Sequence, residues 1–173
     1  MNVRVGPSGI QGLGVFAVKP FQTGDTILAI DDSRIVDEAH PLAAGEDPRH
    51  CDYLAAGRTV LMQPPERHIN HSCDPNTFVR TVDGRRLVIA RRAIDAGEEI
   101  TYDYCINSGG NTVWHCRCAA ARCRRLIHSD FFRLPVSLQR EYLPLLDDWF
   151  VSEHVAEIER LKSGTASQAA RGS

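Results

Sequence analysis

At 173 residues, 43% hydrophobic and 24% charged, the chain has the material for one domain core with a short extension. It carries no apolar stretch of roughly 18 residues, which excludes a membrane-crossing helix. Its formal charge of −2 supplies no global field to draw in nucleic acid, so neither direct nucleic-acid binding nor a membrane partner is expected.

The first residues, Met1-Asn2-Val3-Arg4-Val5-Gly6, lack a basic-then-apolar leader. A secretory route is therefore not expected, and the expected location is cytoplasmic, where thiols stay reduced. Six cysteines then call for an explanation other than disulfides. Val3 to Val5 alternates weakly, as a first strand does. In Gly9 to Ala17 the glycines at 12 and 14 let backbone approach a ligand closely. Alone, that stretch reads as a hairpin turn, and it lacks the helix and third glycine of a dinucleotide loop.

Phe21 to Asp25 is a turn and Thr26 to Ile30 a strand. From about 31 to 62 the pattern breaks up around Pro41, Gly45, Pro48 and Gly57, an insert of loops with room for a short helix. Thr59 to Met62 is a short strand that Pro64-Pro65 ends. Then comes a dense polar run, Asn70-His71-Ser72-Cys73-Asp74-Pro75-Asn76. Asp-Pro-Asn alone makes a turn, and His71 alone suits a satisfied buried histidine. An amide, an imidazole and a thiol together between strand-like segments point to a site.

Thr77 to Val82 and Arg85 to Ala90 flank Asp83-Gly84, a hairpin signal. Gly97 marks another turn and Ile100-Thr101-Tyr102 a strand. Cys116, Cys118 and Cys123 follow as Cys-x-Cys-x4-Cys. Closely spaced thiolates suit tetrahedral zinc, and Cys73 is the best candidate for the fourth ligand, free thiols being the alternative. Cys51 and Cys105 are left as small buried apolar side chains. Leu134-Pro135 starts a helix, and apolar residues at helical spacing from Leu138 to Leu161 predict two helices broken near Pro144. These helices pack on the body or against a partner, a second copy of the chain included. The segment 163–173 is small, polar and expected to be disordered.

Together these stretches resemble the SET-domain protein lysine methyltransferases, and the small stand-alone bacterial and viral type in particular. Gly12-Leu13-Gly14 with Val15-Phe16-Ala17 looks like the family's first motif. Arg67-His68-Ile69-Asn70-His71-Ser72-Cys73-Asp74-Pro75-Asn76 resembles its Asn-His-Ser-Cys motif, and Gly97 through Tyr104 its Asp-Tyr motif. Cys116, Cys118 and Cys123 match its post-SET zinc loop, although Ala119 and Arg125 stand where that loop commonly has glycine.

The resemblance implies a mostly β fold of small sheets around a pseudoknot, followed by C-terminal helices. It places the SET domain at 1–106, the post-SET zinc loop at 107–127 and a helical extension at 128–162. It implies S-adenosylmethionine as methyl donor, zinc as a structural ion held by Cys73, Cys116, Cys118 and Cys123, and a protein or peptide partner carrying the target lysine. Gly12, Leu13, Gly14, Arg67, Asn70, His71, Tyr104 and Trp114 are the implied cofactor contacts. Tyr104 matches the catalytic tyrosine. Tyr102 falls at the position that sets product, where tyrosine implies mono- or dimethylation. The other class kept open is a zinc-stabilised SET-like module that binds a peptide without catalysis.

Overall fold

The computed structural model describes residues 2–164. The strands are β1 (Val3–Pro7), β2 (Leu13–Ala17), β3 (Thr26–Ala29), β4 (Ile35–Val36), β5 (Cys51–Tyr53), β6 (Thr59–Leu61), β7 (Asn70–His71), β8 (Thr77–Val82), β9 (Arg85–Ala90), β10 (Glu99–Tyr102), β11 (Gly109–His115) and β12 (Leu126–Asp130). Three helices follow: α1 (Val136–Tyr142), α2 (Asp148–Glu153) and α3 (Val155–Ser163).

The described strands form four small sheets, ordered β1-β2-β10-β7, β3-β9-β8, β4-β6-β5 and β11-β12. The expected mostly β architecture with C-terminal helices is present. β1 and β2 pair from Val3↔Ala17 to Pro7↔Leu13, so Ser8 to Gly12 form a hairpin connection. The Asp83-Gly84 hairpin keeps the expected strand limits. Both turn residues have φ above zero, at 49° and 73°, as a primed turn requires.

The insert is more ordered than its pattern suggests. It contributes β4, β5 and β6 as a three-stranded sheet, with strands too short to display a period. Arg86 of β9 anchors it: the buried guanidinium meets Asp32 at 2.6 and 2.9 Å and Asp52 at 2.5 Å.

Two cores divide the molecule. Val3, Val15, Phe21, Ile27, Ile69, Val88, Ile94 and Ile100 fill the first, between the β1-β2-β10-β7 and β3-β9-β8 sheets. The second joins Cys73, Cys105, Ile127 and Phe131 to Tyr142, Phe150, Ile158 and Leu161 of the helices. The helices thus pack on the body. Their number differs from expectation, because the backbone leaves helical geometry again at His154 (φ −125°, ψ 35°). Its ring packs on Phe150 at 4.5 Å and on Phe132 at 5.1 Å. Phe150 occupies the buried position and Val155 faces outward. α3 extends to Ser163, and 165–173 lie outside the described residues. Cys105 is buried as expected, whereas Cys51 is half-buried.

Candidate active site and metal centre

The two polar motifs cross. β10 pairs parallel to β7, with Thr101↔Asn70 and Tyr102↔His71 in register. Asn76 staples the crossing: its amide nitrogen donates to the Glu99 carbonyl at 2.8 Å, and its amide oxygen accepts the Thr101 N–H at 2.8 Å. Thr77 adds a bond from Oγ1 to the Thr101 carbonyl at 2.8 Å. With Asn76 and Thr77 buried, these bonds replace a ladder that strands this short cannot extend.

One side of the crossing faces the glycine loop. The Asn70 amide nitrogen lies 3.0 Å from the Leu13 carbonyl, 3.2 Å from the Gln11 carbonyl, 3.0 Å from Ser8 Oγ and 2.9 Å from Glu99 Oε1. Two amide hydrogens among four acceptors leave acceptor capacity for a cationic or hydrogen-bonding ligand. Glu99 organises this node, since Ser8 Oγ also lies 2.8 and 3.0 Å from its two carboxylate oxygens. Glycine at 14 leaves room for this node, since a Cβ there would fall 2.4 Å from Glu99 Oε1 and displace the carboxylate.

The other side is aromatic. Tyr104 stacks at a tilt on Tyr102, ring centroids 4.9 Å apart, and lies 5.3 Å from His71 and 5.9 Å from Trp114. Its hydroxyl donates to the Ile69 carbonyl at 2.7 Å. Burial pushes both tyrosine hydroxyls above their ordinary range, so both stay protonated at neutral pH.

Next to the rings, Cys73, Cys116, Cys118 and Cys123 bring their four sulfurs within 4.8 Å of one another. Cys73 Sγ and Cys116 Sγ are 3.8 Å apart. That is the edge of a tetrahedron whose corners lie about 2.3 Å from a zinc ion, so the donor set fits. Backbone N–H groups point at the sulfurs: Arg124 to Cys73 at 3.4 Å, Cys73 to Cys118 at 3.5 Å and Cys118 to Cys116 at 3.4 Å. Burial raises the Cys118 thiol, but donors from Cys73 and Ala120 and neighbouring thiols outweigh it and bring it to about 7. The loop takes φ of 56° at Ala119 and 67° at Arg125, the left-handed conformation that glycine adopts most readily.

His71 joins the two halves. Burial holds its imidazole down at about 4, so the ring is neutral. Nδ1 accepts the Tyr104 N–H at 3.2 Å, which places the ring proton on Nε2, 3.5 Å from Cys73 Sγ. Asp103 Oδ1 is 3.6 Å from Nδ1 but serves Arg124 at 2.8 Å, and its Oδ2 accepts the Tyr142 hydroxyl at 3.2 Å.

Of the expected site residues, Gly12 to Gly14, Asn70, His71, Tyr102, Tyr104, Trp114 and the four cysteines gather in this region. Arg67 lines a cavity of about 350 Å³ with Gly45, Glu46, Asp47, His50, Leu61 and Gln63. Sequence reasoning passed over Ser8, Glu99, Asp103, Arg124 and Tyr142. The carboxylates at 99 and 103 lay inside the quoted motif, and that was the available signal; Ser8 and Tyr142 gave none.

A SET domain model matches residues 12–105. The chain is 30% identical over 146 residues to histone-lysine N-methyltransferase ATX2 of Arabidopsis thaliana, covering 73% of this chain and 13% of that protein. It is 31% identical over 136 residues to the H3 lysine-4 specific histone-lysine N-methyltransferase of Schizosaccharomyces pombe, covering 71% of this chain and 15% of the relative. The chain therefore spans less than a sixth of the length of either relative. Among solved structures, KRYPTONITE in complex with mCHG DNA and SAH shares its fold, with a TM-score of 0.56 and 21% identity over 72% of this chain and 28% of that one. The chain belongs to the SET domain family.

Proposed function

We propose that the chain is an S-adenosylmethionine-dependent protein-lysine N-methyltransferase. The carrying observation is Tyr104, with its hydroxyl fixed on the Ile69 carbonyl and its ring set against Tyr102, His71 and Trp114, directly beside the Asn70 and Leu13 node. The relatives named above are histone-lysine methyltransferases, so a lysine in a histone-like tail is the proposed substrate class.

Bound S-adenosylmethionine supplies an electrophilic methyl group. Gly12 to Gly14, Asn70 and His71 would hold it, with Arg67 closing the insert side and Trp114 covering an aromatic face. Lysine must react as the neutral amine, yet at pH 7.4 its ordinary pKa of about 10.4 favours ammonium by roughly 4 kcal/mol. The ring enclosure disfavours ammonium by desolvation, so no protein base is required. Tyr104 and Tyr102, both protonated, orient the amine through their oxygens. Tyr102 crowds the amine and limits the product to mono- or dimethyllysine.

Zinc in the cysteine cluster is structural in this reading, since four thiolates leave no open position. It makes 107–127 a post-SET loop that folds against the Asn-His segment. A cytoplasmic location, where thiols stay reduced, completes this proposal.

The test is methyl transfer from labelled S-adenosylmethionine to mixed histones by wild type and Tyr104→Phe. Label in the wild type that falls about a hundredfold in the variant is expected from the lost alignment. Equal label in both overturns the role of Tyr104. Absence of cofactor binding by calorimetry overturns the enzyme reading in favour of a peptide-binding module.

A further inference from the structure

We infer that Glu141 on α1 is a positioning residue of the cysteine loop, holding it through Arg122 against the Asn-His segment; the inference rests on the zinc reading above. Arg122 lies between Cys118 and Cys123. Its guanidinium forks onto Glu141, Nη1 to Oε2 and Nη2 to Oε1, both at 2.9 Å. Its Nε donates to the carbonyl of Cys73 at 3.1 Å and lies 3.1 Å from Asp74 Oδ1. Arg91 closes the figure, bonded to Glu141 and 3.9 Å from Asp74. Four residues of alternating charge thus join the Asn-His segment, the end of the β8–β9 hairpin, the cysteine loop and α1.

Arg124, on the other side of Cys123, is held in parallel. It donates to Asp103 at 2.8 Å, and the same carboxylate takes the hydroxyl of Tyr142, the neighbour of Glu141 on α1. Glu141 thus holds Arg122 directly, whereas Tyr142 touches Arg122 at 3.4 Å and reaches Arg124 only through the shared Asp103 carboxylate. Between Cys116 and Arg125 the backbone forms no strand or helix and holds itself by few bonds, such as Cys116 N–H to Arg125 and Cys123 N–H to Ala120. Two of its residues have φ above zero. Its order rests on the sulfur cluster and on these arginine ties.

The ring is partly solvated, with Glu141 36% and Arg122 38% exposed at the side chain. Such pairs add little to global stability and are weakened by salt. Their effect falls on local opening of the loop they fasten, which is a separate equilibrium from unfolding. A residue that merely supported the fold would lower the melting temperature together with zinc retention.

The experiment measures zinc per chain by elemental analysis, then zinc transfer to a chromogenic chelator at low and high salt. Wild type, Glu141→Ala, Glu141→Gln and Arg122→Met are compared. Wild type and variants should each carry one zinc and melt within about 2 °C of one another. Glu141→Ala and Arg122→Met should lose zinc about tenfold faster than wild type at low salt, with Glu141→Gln between them. High salt should speed the wild type towards the variants and change Glu141→Ala less, since only the pairs of Asp74 with Arg122 and Arg91 remain there to be screened. Equal release rates at low salt overturn the positioning role while the zinc reading stands. A wild type without zinc overturns the zinc reading itself, and the clamp with it.

Discussion

His71 and Cys73 meet edge to edge, Nε2 3.5 Å from Sγ, while the far edge of the same imidazole accepts the Tyr104 N–H. With zinc held by the four cysteines, the Cys73 thiolate would accept the Nε2–H bond, so the cysteine cluster and the proposed catalytic tyrosine share one imidazole. Trp114 adds a second tie, packed at 5.5 Å on His71 and borne on the strand that leads into Cys116.

Zinc removal should therefore reach the active site and not the loop alone. Chelation is expected to abolish most methyl transfer, lower the melting temperature by several degrees and, in a Trp149→Phe background, change the fluorescence of Trp114. Activity and melting temperature that survive chelation together would refute this coupling.

Gly14→Ala tests the node around Glu99. A Cβ at that position meets Oε1 at 2.4 Å and the carboxyl carbon at 2.8 Å, with Ser8 Cβ at 3.0 Å. Glu99 can swing away only by releasing Asn70 and Ser8. The expected cost is about 1–3 kcal/mol of stability, with a larger proportional loss of cofactor affinity measured by calorimetry. Unchanged affinity would remove Glu99 from the site.

Ala119→Gly should stabilise the protein. Ala119 is exposed, so removing its methyl forfeits no packing, and its φ of 56° costs an alanine about 1–2 kcal/mol. The greater freedom of glycine in the unfolded chain takes part of that back, leaving a gain of up to about 1 kcal/mol. Denaturant unfolding measures it. A destabilised variant would mean that the loop adopts another conformation in solution.

The sequence showed most clearly what short-range chemistry controls. The Asp83-Gly84 turn specified its hairpin to the residue, and the three loop cysteines with Cys73 announced their cluster. β11 and β12 escaped notice because β11 is almost wholly exposed and bears no alternation. Their pairing depends on the second core beneath them. Glu99 escaped for a different reason. Its partner Ser8 is 91 positions away, and nothing local distinguishes it from the neighbouring Glu98.

Tyr102→Phe should shift the product towards higher methylation. The Tyr102 ring lies 4.9 Å from Tyr104, and burial keeps its hydroxyl protonated. In the proposed mechanism, losing that oxygen would free space beside the amine and remove a hydrogen bond that resists its rotation. Mass spectrometry of a methylated peptide should show more di- and trimethyllysine than wild type yields. An unchanged distribution would place the product-setting group elsewhere.

Glu66 supplies a pH-dependent test of the fold. Its carboxyl is 3% exposed and accepts the N–H of Asp31 at 3.0 Å and of Gln63 at 3.3 Å through Oε1. Burial raises its pKa, and the backbone donors that work the other way do not cancel the effect. With the folded value above the unfolded one, its contribution is fully present below about pH 4.3 and is lost as pH rises through the folded value. Above that folded value the fold carries a costly buried carboxylate. Glu66→Gln retains Oε1 as the acceptor and cannot ionise. Its melting temperature relative to wild type should rise as pH is taken from 4 to 8, whatever the offset at pH 4. A difference that stays constant across that range would show that Glu66 titrates as it does in the unfolded chain, and that water reaches it in the folded state.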